Sequence, residues 1–315
     1  MMWFLGIDTS NYTTSAALYD GETLMQEKLP LPVKEGELGL RQSDAVFLHV
    51  KQLPMVLESL LPKAAGQIAG VGVSIRPRDV EGSYMPCFLS GEMAARSVAA
   101  ALGVPCRFFS HQAGHIAAVL LGSDSLELME RPFLAFHLSG GTTECLLVRP
   151  GAERPFDVSL VARTLDISAG QVIDRVGKML GLAFPAGPAL EQLAAQAEGS
   201  IRPKTVLKEA NCCFSGLENQ CRTLLEQGET PARVARFCQD SVGNTVLRMA
   251  EKAQELYPGL PFVFGGGVMS NGAIRKLLQN HLPDVRFAPP ALSADNAAGT
   301  AVLTLLAHRR EAAPC

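Results

Sequence analysis

The stretch IDTSNYTTSAAL, residues 7–18, has a counterpart of equal length in FHLSGGTTECLL, residues 136–147. Aligned without gaps, the two segments share a serine, a pair of threonines and a leucine, and Asp8 aligns with His137. Each segment has the pattern of an apolar strand, a tight polar turn and a second apolar strand. Because each copy opens one half of the chain, the repeat predicts two duplicated α/β lobes facing a cleft, with a ligand between them.

A polar segment, GSDSLELMERP at residues 122–132, separates the two halves. We therefore predict an N-terminal lobe at residues 1–125 and a C-terminal lobe at residues 126–315. Helical patterns follow the second hairpin at residues 168–180 and 232–256. The chain of 315 residues is long enough for two medium-sized domains with buried cores.

The composition is that of a soluble, core-rich enzyme, with 47% hydrophobic and 19% charged residues. The net charge of −3 offers no basic field for nucleic acid, so any RNA contact must come from a local patch or another subunit. The eight cysteines form no CxxC pair and follow no disulfide spacing. Because no signal peptide pattern is present either, we expect a cytoplasmic protein without membrane association.

The stretch SHQAGHIAAV places two histidines, His111 and His115, four residues apart in a helical pattern. Both imidazoles then share one helix face and can converge on one cation. A zinc protease of the HExxH type needs a glutamate after the first histidine as general base. Gln112 occupies that place and cannot accept the proton, which argues against a protease of this type. Two ordinary histidines without a ligand remain the alternative.

Two further residues could complete a metal site. His137 ends an apolar strand immediately before the SGG turn, where its side chain would point into the predicted cleft. Asp295 precedes the last helical segment, where it is either an N-cap or a carboxylate ligand. A carboxylate combined with imidazoles suits Zn(II) or Fe(II).

Two glycine-rich turns are candidate phosphate sites. VFGGGVMSNGAIRKLL contains a strand, a triple glycine centred on Gly266, and a helix that opens near Asn271, where the backbone can approach phosphate. It matches neither GxGxxG nor GxxxxGKS/T, so dinucleotide and P-loop sites are excluded. LSGGTTE offers amides and hydroxyls to an anion, or is a plain hairpin turn. Asp174, mid-helix, either binds ribose hydroxyls or lies on a solvated face.

Taken in chain order, these segments resemble the TsaD family, the tRNA threonylcarbamoyladenosine synthase subunits once described as O-sialoglycoprotein endopeptidases. The similarity extends over nearly the whole chain. The matching segments are LGIDTS, ALGVPCRFFSHQAGHIAA, LSGGTTE, DISAGQVIDRVGKMLGLAFPAGP, CCFSGL, FGGGVMSN and SADNAAG. The resemblance implies the actin/hexokinase/Hsp70-like ATPase fold, built from two duplicated ribonuclease-H-like lobes around a cleft.

The resemblance also implies an acyltransferase activity. The reaction would be metal-dependent transfer of a threonylcarbamoyl group from threonylcarbamoyl-AMP to N6 of adenosine 37 in tRNA, with no catalytic side chain assigned. One divalent ion, Fe or Zn, would be held by His111, His115 and Asp295, with His137 as a fourth ligand. The implied partners are tRNA and TsaB-like and TsaE-like subunits. An adenine nucleotide (ATP, ADP, AMP or the acyl-AMP) would contact Ser139, Gly140, Gly141, Thr142, Asp174, Gly187, Gly266 and Asn271.

The chain departs from the family pattern around the acyl and acceptor site. The family's SCDET is here SNYTT, and Thr142 replaces the histidine of SGGHT. Gln171 and Arg175 replace the glutamate and lysine of GEAFDK, and of an arginine and histidine after the first long loop only His49 remains. A divergent paralogue is therefore expected. The alternatives are carbamoyl or acyl transfer to a different acceptor, and a nucleotide-binding partner subunit without catalysis.

Overall fold

The computed structural model describes residues 2–10, 12–32, 40–64, 66–293 and 296–312. Contacts divide the chain into two compact units. The first contains the described residues up to Leu126, the segment Gly151–Phe156 and residues 296–312, and the second contains Glu127–Pro150 and Asp157–Ser293.

The first half of the chain alternates strands and helices after an initial group of three strands. In chain order its elements are β1 (Met2–Asp8), β2 (Thr13–Tyr19), β3 (Leu24–Pro30), α1 (Gln42–Leu60), β4 (Gln67–Arg76), α2 (Phe88–Leu102), β5 (Cys106–Ser110) and α3 (His111–Gly122).

The second half repeats this arrangement and adds helices. Its elements are β6 (Phe133–Leu138), β7 (Thr143–Pro150), β8 (Phe156–Arg163), α4 (Ala169–Met179), α5 (Gly187–Ala195), β9 (Leu207–Lys208), β10 (Asn211–Cys212), α6 (Ser215–Glu226), α7 (Pro231–Leu256), β11 (Phe262–Gly265), α8 (Gly272–His281), β12 (Val285–Phe287), α9 (Pro290–Ser293) and α10 (Ala298–Ala312).

Each unit is built on a sheet with the same strand order. The first sheet runs β3-β2-β1-β4-β5, and the second, read from its other edge, runs β8-β7-β6-β11-β12. In both sheets the first strand pairs antiparallel with the second and parallel with the fourth. The described residues thus form two mixed α/β units of one topology.

The repeated hairpins have the same register. Ile7 pairs with Ala16 in the first hairpin, and Phe136 pairs with Cys145 in the second. These are equivalent positions of the sequence repeat, which confirms the predicted hairpin at the start of each half. The central strands β1 and β6 are buried over most of their length, and Phe136 of β6 stacks on Phe264 of β11 with ring centroids 4.8 Å apart.

The last helix packs on the first unit. The sequence places residues 126–315 in one lobe, whereas α10 lies against β1 and α3. A Cβ added at Gly299 would overlap the carbonyl oxygen of Gly114, so the two helices cross with their backbones in contact. Periodicity predicts such a helix but not the sheet on which it packs.

The cysteines of the described residues are free thiols. Cys87, Cys145, Cys212, Cys221 and Cys238 are buried among apolar side chains, where they act as small hydrophobic residues. Among the described residues, none of the helices has the length and apolar character needed to cross a bilayer.

Candidate functional site

The histidine pair lies at the start of α3. Ser110 is the N-cap, and its Oγ accepts a hydrogen bond of 3.1 Å from the amide of Ala113. His111 is therefore the first helical residue, and His115 follows one turn later on the same face. The ring centroids are 4.2 Å apart with an interplanar angle of 74°. Both rings are half-buried, as the spacing predicts for a shared face.

Asp8 holds the first imidazole in place. It ends β1, is fully buried, and its Oδ2 lies 2.8 Å from Nδ1 of His111. The amide of Ser10 donates to Oδ1 at 2.9 Å. Burial alone would raise the pKa of Asp8, but the charge and hydrogen bond of His111 outweigh it and hold this pKa below its usual range.

Sequence reasoning did not assign a role to Asp8. The signal was present in the repeat, since Asp8 occupies the position that His137 occupies in the second copy. Both residues stand at the carboxyl end of the first strand of a hairpin. The pairing of Asp8 with His111 spans 103 residues, so no local pattern predicts it.

The arrangement around His111 fits a metal-binding histidine in part. Because Nδ1 faces the Asp8 carboxylate, any metal bond of His111 would be made by Nε2, and histidine ligands commonly have such a carboxylate behind them. Within the described ranges no cluster of three or more His, Cys, Asp or Glu is arranged to hold a metal. Asp295, the predicted carboxylate ligand, and Asn11 of the SNYTT turn lie outside the described residues. His137 lies on β6 in the second unit, with its backbone paired to Gly265.

The SGG turn of the second unit is bound to the start of α4. Ser139 Oγ accepts hydrogen bonds from the amides of Gly141 (3.3 Å) and Thr142 (3.1 Å). The Oγ of Ser168, the N-cap of α4, donates to the carbonyl of Gly140 at 2.7 Å. The turn therefore lies at a helix N-terminus, where backbone N–H groups and the helix dipole favour an anion.

The glycines of this region have two different roles. A Cβ at Gly140 or Gly141 would meet no atom within 4 Å, so neighbouring side chains leave space beside the exposed turn. Gly266 has φ of +95°, and a Cβ there would overlap the carbonyl of Leu138. The glycine turn after β11 therefore packs directly on the end of β6, and the two predicted phosphate turns lie side by side.

Asp174 of α4 is bonded to the start of α5, next to Gly187. Oδ1 of Asp174 accepts a 2.8 Å hydrogen bond from the amide of Ala186, the residue before Gly187. Burial raises the pKa of Asp174, and this hydrogen bond offsets only part of the effect. A Cβ at Gly187 would meet open space.

Asn271 has structural partners for both ends of its side chain. Its Oδ1 accepts from the amide of Ile274 at 2.9 Å and so caps α8, while its Nδ2 donates to Oε1 of Gln239 on α7 at 3.0 Å. The helix opening predicted near Asn271 is confirmed. Its contact with nucleotide stays a prediction.

Two residues that replace family positions, Gln171 and Arg175, and the retained His49 make structural contacts. Gln171 forms a reciprocal capping box with Ser168, and Arg175 pairs with Glu218 at 3.1 Å. Buried His49 lies 2.8 Å from the hydroxyl of Thr14 through Nδ1. Because that hydroxyl donates its one proton to Gln52 at 2.7 Å, Nδ1 of His49 is the donor.

Asp166 connects two of the quoted segments, DISAG and CCFSGL. Its carboxylate accepts from the amides of Phe214 (2.8 Å) and Ser215 (3.0 Å) and from Ser215 Oγ (2.6 Å). Phe214, the N-cap of α6, has no capping side chain of its own. Asp166 therefore supplies the cap from 48 residues away, a role the sequence did not reveal.

Solved structures of one fold class resemble the chain over nearly its full length. The activator of 2-hydroxyisocaproyl-CoA dehydratase from Clostridium difficile, with bound ADPNP, aligns over 100% of this chain and 99% of its own, with TM-score 0.55 and 12% identity. A ROK family glucokinase from Streptomyces griseus, in complex with glucose and AMPPNP, aligns over 96% and 99%, with TM-score 0.54 and 14% identity. The chain has the actin/hexokinase/Hsp70-like fold, as predicted.

The family follows from sequence similarity. The model of TsaD, tRNA N6-adenosine threonylcarbamoyltransferase, matches residues 40–302. A protein of that description from Thermus thermophilus is 31% identical over 98% of this chain and 94% of its own length. One from Streptococcus gordonii is 30% identical over 94% and 89%. The chain therefore belongs to the TsaD family of transferases, which confirms the resemblance of its motifs.

Proposed function

We propose that this protein transfers a threonylcarbamoyl group from threonylcarbamoyl-AMP to N6 of adenosine 37 in tRNA. The observation that carries the proposal is the 31% identity, over 98% of the chain, to a tRNA N6-adenosine threonylcarbamoyltransferase. In the reaction, N6 attacks the carbamoyl carbon, a C–N bond forms, the C–O bond to phosphate breaks, and AMP leaves with the negative charge while N6 loses a proton.

His111 and His115 are the proposed ligands of one Fe or Zn ion, with Asp295 as carboxylate ligand and His137 as a fourth. The Asp8–His111 hydrogen bond supports this assignment because it orients the ring, as carboxylates behind metal-binding histidines commonly do. The resemblance of the segment SADNAAG to the family's TDNxAM motif supports Asp295. When bound, such an ion would polarise the acyl carbonyl and stabilise developing negative charge.

The nucleotide part of the substrate is assigned to the second unit. The amides of the turn Ser139, Gly140, Gly141 and Thr142 and the N-terminus of α4 would hold the phosphate, with Gly266 beside them. The open space at Gly140 and Gly141 supports this. Asp174 would accept from ribose hydroxyls, with Gly187 and Asn271 completing the site. We further propose TsaB-like and TsaE-like partner subunits, and a cytoplasmic location.

Metal analysis of purified protein tests the histidine pair. We expect about one Fe or Zn per chain in the wild type and loss of that metal in His111→Ala, because removing one imidazole from the proposed ligand set weakens metal binding strongly. His281→Ala is the matched control, since this exposed histidine at the end of α8 contacts only its own helix carbonyl among the contacts resolved there. Equal metal content in His111→Ala and wild type would remove the metal site from the proposal.

A further inference from the structure

The segment that follows β4 is fastened to the first turn of α3. Asp79, only 14% exposed, accepts a 2.6 Å hydrogen bond at Oδ2 from the hydroxyl of Ser110. Its Oδ1 accepts from Nε (3.1 Å) and a terminal nitrogen (2.8 Å) of Arg76. The carboxylate is thus held by an arginine on one side and by the N-cap of the histidine helix on the other.

The Ser110 hydroxyl is the acceptor in one hydrogen bond and the donor in another. It accepts from the amide of Ala113, which caps α3, and it donates its proton to Asp79. A second link joins the same elements, because the amide of Gln112 donates to the carbonyl of Pro77 at 3.0 Å. The first amides of a helix have no partner within the helix. In α3 the amides of Gln112 and Ala113 find their partners in these two contacts.

Asp79 also stands beside an open cavity of about 370 Å³. Arg154, at the tip of the β7–β8 connection, donates to the backbone carbonyl of Asp79 at 3.1 Å. The cavity is lined by Arg76, Asp79, Val80, Glu81, Glu153 and Arg154. Asp79 lies between this charged, solvent-facing surface and the helix that begins with His111.

We propose that Asp79 is a positioning residue for the histidine pair. His111 follows Ser110 directly, so the orientation of the Ser110 hydroxyl fixes where α3 starts and where its first imidazole stands. A hydrogen bond to a carboxylate is stronger than one between neutral groups, which makes Asp79 more effective here than an uncharged acceptor. Asp79 would act through Ser110, its direct hydrogen-bond partner at the start of α3. The expected effect on metal binding rests on the proposed function, whereas the contacts of Asp79 do not.

The test compares Asp79→Ala, Asp79→Asn and wild type by hydrogen–deuterium exchange of peptides from α3 and α7, and by Co²⁺ titration of the metal-free protein. The asparagine variant keeps an oxygen acceptor for Ser110 but loses the charge, whereas alanine loses both. Glu153→Gln is the matched control, because it removes a carboxylate from the same cavity at an exposed position.

We expect exchange at the first turn of α3 to quicken about fivefold in Asp79→Ala, because the capping hydroxyl of Ser110 is then no longer held in place and the cap is weakened. α7 should not change, and Asp79→Asn should lie between alanine and wild type. Co²⁺ affinity should weaken in the same order, by about tenfold for Asp79→Ala. This is the effect commonly seen when a residue that supports a metal ligand is removed. Equal quickening in α3 and α7, or unchanged α3 exchange, would overturn the inference. Absence of Co²⁺ binding by the wild type would instead contradict the proposed metal, while the exchange data still decide the role of Asp79.

Discussion

Two aspartates, buried Asp8 and half-buried Asp174, show how single residues acquire different chemistry in one fold. Asp8 faces an imidazole, and its pKa is held below the usual range although burial alone would raise it. The one hydrogen bond resolved for the Asp174 side chain comes from the backbone amide of Ala186. Burial raises the pKa of Asp174. The first carboxylate is stabilised in its ionised form by its partner. Ionised Asp174, in contrast, lowers the stability of the folded protein, which is typical of residues retained for function.

Replacement of Asp174 by asparagine tests that interpretation. The pKa of Asp174 is higher in the folded protein than in the unfolded chain. The free energy of unfolding therefore falls as pH rises from the unfolded pKa to the folded one, and the ionised side chain still destabilises the folded protein at neutral pH. Asn keeps an oxygen for the amide of Ala186, so Asp174→Asn should be at least as stable as wild type in urea unfolding at pH 7. Its affinity for AMP, measured by calorimetry, should fall about tenfold with the loss of charged hydrogen bonds to ribose.

The opposite pattern would contradict the assignment. An Asp174→Asn variant that binds AMP as tightly as wild type but unfolds more easily at pH 7 would make Asp174 a structural residue. Repeating the unfolding near pH 3 provides the control, because protonation of Asp174 should then remove any stability difference between the two proteins.

At the level of elements, the sequence predicts helices better than it predicts what holds their ends. The helices expected at 168–180 and 232–256 are observed at Ala169–Met179 and Pro231–Leu256, because apolar periodicity and local caps mark both. The cap of α6 could not be predicted, since Asp166 supplies it from another part of the chain. Tertiary hydrogen bonds of this kind leave no periodic signal.

The Asp166 cap predicts a pH-dependent stability. Burial alone would raise the pKa of Asp166, but hydrogen bonds from Ser215 and Phe214 outweigh it and lower this pKa. The stabilising contribution is therefore complete above the unfolded pKa near 3.9 and is lost as pH falls through the folded value. Asp166→Asn should be less stable by about 1 kcal/mol at pH 7, as for loss of a helix cap.

Urea unfolding across pH 7 to pH 3 measures this difference. It should shrink below about pH 4, because the unfolded wild-type chain then binds a proton at Asp166 before the folded protein does. Glu58→Gln, at an exposed position on α1 that caps no helix, is the control. A difference between Asp166→Asn and wild type that stays constant over this range would show that the carboxylate charge does not hold α6.

The crossing of α3 and α10 predicts a steric effect. In Gly299→Ala the new methyl group would overlap the carbonyl of Gly114, and overpacking of this kind costs about 1–3 kcal/mol. Urea unfolding should show that loss. Gly216→Ala is the matched control, because this α6 glycine has open space at its Cβ and alanine favours helix there. Equal stability of Gly299→Ala and wild type would contradict the close crossing.

For the whole molecule, the internal repeat is the feature that made the fold predictable. A twelve-residue match predicted a hairpin at the start of each half, and the structure has both in the same register, within sheets of the same strand order. The packing of α10 on the first unit was not predictable, because it depends on close contact between Gly299 and Gly114 rather than on any pattern along the chain. The pairing of Asp8 with His111 is of the same kind.

The site was predictable to the extent that its residues occur in local motifs. The two glycine turns were recognised from sequence, and the structure brings Gly266 against the end of β6 beside the SGG turn. Residues that act through distant partners, such as Asp8 and Asp79, were not recognised. Such residues carry ordinary local signals, since an aspartate at the end of a strand or in a turn is common in any α/β protein.

The central claim, threonylcarbamoyl transfer to tRNA, is tested most directly in cells. A strain depleted of its own synthase subunit would express this chain together with the partner subunits of the chain's source. Its tRNA would be digested and analysed for N6-threonylcarbamoyladenosine by mass spectrometry. We predict that wild type and His281→Ala restore the modified nucleoside and that His111→Ala does not. Accumulation of folded wild-type protein without the modified nucleoside would contradict the account and direct the acyl transfer to another acceptor.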